Sequence, residues 1–372
     1  MQLYNVGTFY QLLNAVHIKM TMYPNEKADI ILMDATDFTK QLKVLTELDV
    51  FVNIYDGKNA WNLDRMFKTS AKEKKVDIIK DFFENDCGDF AQKKYTDYFL
   101  GAQTPYFKMV YYALCQKNIY PKAHLIEDGI YTYVLDFVND CNNDGFTHNL
   151  YGKHDIRKNL GNVYAYGSKS MYFGSDSFEY KQIPNLYSDD LQVKKEIEIY
   201  QKLWGKYSLP QEKYIFLEEG MFQDHLISAD IVLLEQIAEM IGKENIIVKR
   251  HPRCRYDRFS ERGFNVLKES GFPWELLLMD EDADRHVIIS LSSTATTTGK
   301  TVLGKDISSV LLYSVKPFGE AGPHCRLKTF DKYAKTLEAY MNEGERVFFI
   351  PNTIDELKEI LVYIEARDYK NE

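Results

Sequence analysis

The chain has no long apolar run, little proline, few cysteines and no excess of basic charge. Among 372 residues there are 10 prolines and 5 cysteines, and 46 basic residues face 55 acidic ones for a net charge of −9. That balance excludes the electropositive footprint of a general nucleic-acid binder. No stretch comes near the roughly 18 uncharged apolar residues that span a bilayer. Met1 to Val16 lack a basic flank and their apolar residues are interrupted by polar ones, so no signal peptide is read and a cytoplasmic location is expected. Cys87, Cys115, Cys141, Cys254 and Cys325 are too widely spaced for a C-x-x-C pair, which points to reduced thiols. G-x-G-x-x-G, G-x-x-x-x-G-K-[ST] and G-x-S-x-G are all missing, which removes the main support for dinucleotide, P-loop and serine-hydrolase chemistry. The eight histidines contain no H-E-x-x-H, and His148 and His154 read as loop neighbours; no metal site is expected.

What is present fits a soluble globular protein, with 45 % hydrophobic and 27 % charged residues. At roughly 150 residues per domain the length predicts two domains. Tyrosine (27) and phenylalanine (22) are plentiful, but core packing explains most aromatics and no function is drawn from them. Short apolar β-rich runs alternate with amphipathic helical stretches. In the first half, strands are expected at Ala28 to Asp34, Asp49 to Tyr55, Tyr98 to Leu100 and Ala123 to Ile126, with helices at Thr36 to Leu48, Lys72 to Phe83 and Pro105 to Gln116. Asp140 to Tyr187, rich in Asn, Gly, Tyr and Ser, reads as loops with short strands, before a helix at Asp189 to Trp204. In the second half, strands are expected at Tyr214 to Leu217, Asn245 to Lys249, His286 to Leu291, Ser308 to Tyr313 and Arg346 to Ile350. Helices fit Ile227 to Gly242, Thr294 to Leu303, Thr329 to Asn342 and Thr353 to Ala366. Near-continuous apolar strands between helices predict parallel sheets covered on both faces. The expectation is therefore an α/β chain of two Rossmann-like doubly wound domains, 1–208 and 209–372, facing a central cleft, with the last helix packing back on the first domain. This is the architecture called GT-B.

In open α/β sheets ligands sit beyond the carboxyl ends of strands, so residues there are the functional candidates. Glu127-Asp128-Gly129 follow the fourth expected strand, and the glycine allows a tight turn and close approach of a ligand. An acidic turn without function has the same spelling. Lys249-Arg250-His251-Pro252-Arg253 follow Asn245 to Val248; the proline biases His251 towards extended backbone, and an imidazole among cations suits a phosphate. A solvated basic loop is the bland alternative. Ser292-Ser293-Thr294-Ala295-Thr296 lie between a strand and a helix, where hydroxyls and free N–H groups accept an anion, although an ordinary N-cap needs only one of them. Glu275, in Pro273-Trp274-Glu275, offers a carboxylate suited to the vicinal hydroxyls of a ribose; a surface glutamate is the default.

Taken together, these clusters resemble the bacterial sialyltransferases. The acidic-acidic-Gly motif appears as Glu127-Asp128-Gly129, the His-Pro motif as His251-Pro252 and the serine pair as Ser292-Ser293, with Glu275 where related enzymes carry a ribose-binding carboxylate. The pattern is similar to glycosyltransferase family 52, the lipooligosaccharide and capsule sialyltransferases, and is shared by the polysialyltransferases; it covers roughly residues 1 to 350. The resemblance implies inverting, metal-independent transfer of sialic acid from CMP-sialic acid to a hydroxyl of a terminal galactose or of sialic acid on a bacterial surface glycan. It implies Glu127, Asp128 and His251 as catalytic residues, with Glu127 the expected base. Lys249, His251, Glu275, Ser292, Ser293 and Gly220 would hold the donor, without a cofactor. Family 52 places a catalytic aspartate after the first strand of the second domain; here that loop reads Glu218-Glu219-Gly220-Met221-Phe222-Gln223-Asp224, which keeps Glu219 and Asp224 in reserve. Other readings stay open: another donor (CMP-Kdo, another nonulosonate or a hexose nucleotide), a teichoic-acid-type polymerase, or an inactive glycan-binding relative. Acceptor, linkage, processivity, dimerisation and peripheral membrane contact are not read from the sequence.

Overall fold

A computed structural model describes residues 1–116, 120–143, 154–186, 191–220, 230–252, 254, 256–268, 271–315 and 328–371. The chain divides into two units, Met1–Pro184 with Ser188–Gly205, and Asn185–Tyr187 with Lys206–Glu372. Among the described residues no helix is long and apolar enough to cross a membrane.

The first unit carries β1 (Gln2–Val6), β2 (Ala28–Met33), β3 (Ile54–Gly57), β4 (Asp97–Leu100), β5 (Lys122–Ile126), β6 (Leu160–Ala165) and β7 (Glu179–Gln182), in the order β3-β2-β1-β4-β5-β6-β7. The second carries β8 (Tyr214–Leu217), β9 (Ile246–Lys249), β10 (Asn265–Val266), β11 (Val287–Ser290), β12 (Ser308–Leu311) and β13 (Phe348–Phe349), in the order β10-β9-β8-β11-β12-β13. Every pairing is parallel. Numbered within its own unit, the second sheet runs 3-2-1-4-5-6, the doubly wound order, and the first runs the same way with a strand added. The α/β class with two doubly wound sheets is thus as the sequence predicts.

The sequence pattern missed the centre of the first unit. β1 is an interior strand, paired with β2 and β4, and the helix Phe9–Thr21 follows it, yet neither stands out as an apolar run. Polar residues buried in both disguise them. Gln2 accepts from the Tyr4 hydroxyl at 3.0 Å, and the Asn5 amide donates to the Tyr98 hydroxyl at 2.9 Å. On the helix, Gln11, Asn14, His17 and Lys19 are buried, each with a hydrogen-bond partner. The third strand lies at Ile54–Gly57 rather than 49–55, and β6 and β7 are short strands inside the stretch that reads as loops with short strands. In the second unit, the helix expected at 294–303 is broken into a 3₁₀ turn, Thr294–Thr296, and a helix, Thr298–Leu303. The final helix sends Leu357, Ile360, Leu361 and Ile364 into the second unit's core, beside Phe216, Val248 and Ile289.

In both sheets the order of strand addition reverses beside the first strand, between β1 and β4 and between β8 and β11. Such switch points open a crevice at the carboxyl ends. At the first of them Gly101 follows β4, and a Cβ there would meet the Gln11 Oε1 at 2.6 Å and the Asn5 carbonyl oxygen at 3.0 Å. Gly101→Ala is therefore expected to lower stability by about 1–3 kcal/mol through overpacking, read by chemical denaturation.

Candidate functional site

In the second unit the ends of three adjacent strands converge. β8 runs into Glu218 and Glu219, β9 into Lys249 to His251, and β11 into Ser290 to Ser293. Because β9 and β11 flank β8, the His251 and Ser292 segments leave the sheet roughly 10 Å apart, two strand spacings.

The loop after β9 is held from below by carboxylates. The His251 N–H donates to Glu218 Oε2 at 3.0 Å, and Arg258 Nε donates to Glu218 Oε1 at 3.2 Å. Arg258 also forks onto Asp230, its NH1 lying 2.9 Å from Oδ1. Glu218, Asp230 and Arg258 are all buried. Burial raises the Glu218 pKa, while the His251 N–H and Arg258 oppose that rise. No sequence motif marks Arg258 or Asp230 for this bracing role. A charged triplet scattered over forty residues has no local signature.

Lys249 is buried at the end of β9, its ammonium 5.3 Å from the Phe272 ring centroid. Burial lowers its pKa to about 8, and the Glu275 carboxylate pulls the other way. Arg250, on the opposite side of the strand, turns instead to the Cys254 carbonyl. Glu275 is buried at the start of the helix Glu275–Leu278, and its neighbour Trp274 donates from Nε1 to the Ala295 carbonyl at 3.0 Å. That bond ties the Glu275 turn to the serine turn. Lys249 feels the Glu275 charge, and the Glu275 turn is bonded to the serine turn through Trp274, all within one unit.

The serine turn is already engaged. Ser292 donates to Glu219 from both its N–H and its hydroxyl, the latter at 2.8 Å from Oε2. Ser293 instead caps the turn, its hydroxyl accepting from the Ala295 N–H at 3.3 Å. The N–H and hydroxyl expected to grip an anion thus grip a carboxyl of the chain itself. Burial raises the Glu219 pKa to about 7, with the Ser292 hydrogen bonds opposing. Gly220 follows directly. Asp224, Arg253 and His148 lie outside the described residues, as does Cys325; the other four cysteines are free thiols. Asp280, Asp282 and Asp284 precede β11, at the far end of the sheet from these groups, and Asp280 caps the Asp282 N–H at 3.1 Å. Among the described residues no three His, Cys, Asp or Glu side chains are grouped to hold a metal ion.

In the first unit β5 runs into Glu127 and Asp128, and Gly129 turns with φ 81° into the helix Ile130–Val134. Only glycine adopts that conformation readily. Glu127 is 1 % exposed, and its carboxylate is enclosed by the hydroxyls of Tyr10 (2.8 Å) and Tyr133 and by the Tyr166 N–H (2.8 Å). Burial raises its pKa against those three donors. The group expected to be the base is therefore enclosed by the fold. Asp128 is half-buried; its N–H donates to Thr132 Oγ1 at 2.8 Å, and its Oδ1 accepts from Gln11 Nε2 at 2.7 Å. The sequence pattern points to neither Tyr10 nor Gln11, since both lie in the element it overlooked.

No protein-family model matches the chain, and no curated protein matches it. Likenesses to solved structures exist at low identity. The UDP-GlcNAc 2-epimerase of Neisseria meningitidis is 12 % identical over 99 % of this chain and 100 % of its own, with a TM-score of 0.47. The α/β-galactoside α-2,3-sialyltransferase of Photobacterium phosphoreum is 12 % identical over 94 % and 98 %, with a TM-score of 0.45. The glycosyltransferase VinC, solved with dTDP, is 11 % identical over 99 % and 100 %, also at 0.45. With TM-scores below 0.5, these likenesses bear on neither donor, acceptor nor reaction.

Two outcomes test this description. Glu127→Ala leaves buried donors without an acceptor and is expected to cost on the order of 3 kcal/mol in denaturant unfolding, against under about 1 kcal/mol for Asp128→Asn. Glu219, with its raised folded pKa, binds its proton more tightly folded than unfolded. Its contribution to stability is fully present below the ordinary carboxyl range and is lost as pH rises through that range to about 7. The melting temperature of Glu219→Gln is expected to gain on wild type between pH 5 and pH 8.

Proposed function

We propose that the chain is an inverting sialyltransferase that takes CMP-sialic acid as donor and a galactose or sialic acid hydroxyl as acceptor. The observation that supports the reading is that Lys249 with His251 and Ser292 with Ser293 stand at the carboxyl ends of β9 and β11, which flank one strand, while the Glu275 turn is bonded to the serine turn through Trp274. A cation, an imidazole, hydroxyls and a carboxylate together match a nucleoside monophosphate: charge and donors for one phosphate, an acceptor for ribose hydroxyls. A diphosphate is not needed to explain them. The motif resemblance described above points to the same donor.

In this reading Lys249, His251 and the serine hydroxyls hold the phosphate, and Glu275 the ribose. Asp128 is the base. Glu127, walled in by Tyr10, Tyr133 and Tyr166, serves as the anchor of that turn. The acceptor oxygen attacks the anomeric carbon while its proton passes to the Asp128 carboxylate. The bond from that carbon to the phosphate oxygen breaks, its electron pair leaves with CMP, and His251 donates a hydrogen bond to the departing phosphate. One displacement inverts the anomeric centre. Ser292 reaches the phosphate once Glu219 gives up its hydrogen bonds.

The test offers purified protein CMP-sialic acid with lactose and with a sialylated acceptor, beside CMP-Kdo and UDP- and dTDP-hexoses. Acceptor-dependent CMP release from CMP-sialic acid is expected, and Asp128→Asn and His251→Ala should each lower it by about 10²–10⁴-fold. Turnover of a hexose nucleotide alone would overturn the donor assignment, and full activity in both variants the residue assignment.

A further inference from the structure

We propose that Gln11 is the residue that positions the Asp128 carboxylate to accept the acceptor's proton. The inference rests on the transferase reading above and adds a residue that neither the motifs nor that reading supplies.

Gln11 is 2 % exposed and lies one turn into the helix that follows β1, at the switch point of the first sheet. Its side chain is fixed at both ends. The Gly7 N–H, just past β1, donates to Oε1 at 2.6 Å, and Nε2 donates to Asp128 Oδ1 at 2.7 Å. The two ends dictate each other. A backbone N–H can face only an acceptor, so the amide oxygen must point to Gly7, which turns the amide nitrogen to Asp128. That nitrogen in turn requires Oδ1 to be an acceptor, which holds the carboxylate in one plane and favours its ionised form.

The surroundings leave the amide no other pose. Gly101 has no side chain where a Cβ would stand 2.6 Å from the Gln11 Oε1, so the bare backbone after β4 makes the slot in which the amide lies. The Asn14 amide, one turn further along the same helix, donates to the Glu127 carbonyl at 3.0 Å, and Tyr10 donates to the Glu127 carboxylate at 2.8 Å. Three residues of one helix therefore grip the acidic pair from the same side. Tyr10 and Asn14 hold the buried acid, and Gln11 holds the half-buried one. Among the described residues, the ionisable groups tied to this turn include Glu127, next to Asp128 in sequence, and the Tyr10 and Tyr133 hydroxyls bound to Glu127.

Two variants of the full chain separate positioning from packing. Gln11→Glu keeps an acceptor for the Gly7 N–H and places an oxygen where the amide donated to Asp128. Gln11→Met keeps the length and removes both hydrogen bonds. Expected for Gln11→Glu is a kcat loss on the order of 10²-fold, the scale of a misplaced catalytic group. The acidic limb of its kcat profile should move up by about one pH unit, because a carboxylate loses a hydrogen bond to its charged form. Gln11→Met should shift that limb the same way, and CMP affinity by calorimetry should be unchanged in both. An unmoved acidic limb, or kcat and CMP affinity falling together with melting temperature, makes Gln11 a packing residue and overturns the proposal. A wild-type protein that turns over no CMP-activated sugar overturns the transferase reading and this proposal with it, and that failure is distinct because it appears before any substitution.

Discussion

A carboxylate can be buried at the end of a parallel strand only if donors enclose it, and this requirement organises both units. An unpaired buried charge costs several kcal/mol, so each such acid fixes the groups around it. Glu127 collects two tyrosine hydroxyls and a backbone N–H. Glu218 collects the His251 N–H and Arg258, and Glu219 collects Ser292. The glycine turn, the His-Pro loop and the serine turn are each set by the acid beneath or beside them.

The enclosed acids divide the labour of the adjacent motif residues. Glu127 and Asp128 are neighbours in sequence with opposite surroundings, one walled in and one half-open. Glu218 and Glu219 divide in another way: the first braces a loop through a permanent cation, the second meets neutral donors and keeps a pKa of about 7. Adjacent acids at a strand end point to opposite faces, so an acidic pair in this position supplies one structural and one adaptable group.

Most of the second unit was legible in its sequence. Its strands are near-continuous apolar runs such as Tyr214–Leu217 and Val287–Ser290, and the residues just past them were the ones worth naming. In the first unit β2, β4 and β5 were legible, but β1 between β2 and β4 was not. β1 and the helix after it were hidden by Gln2, Asn5, Gln11, Asn14 and His17, polar residues at buried positions, whose partners lie up to 179 positions away in the chain. Pattern reading takes a polar residue as exposed and cannot see a distant partner. Two of the residues that concealed the element, Gln11 and Asn14, also hold the acidic motif. The acidic motif shows the limit differently: it marks two acids, and only the tyrosines converging on Glu127 tell the enclosed one from the half-buried one.

The repeated strand order has a consequence for how such a chain changes over time. In each unit the packed apolar layers lie against the sheet faces, whereas the groups that would meet a ligand sit in short segments past the strand ends, around 7–11, 127–134, 218–220, 249–254 and 290–297. Drift in those segments can retune recognition without repacking a core. The scaffold is conservative and its margins are inventive, with enclosed acids as the fixed pins between them.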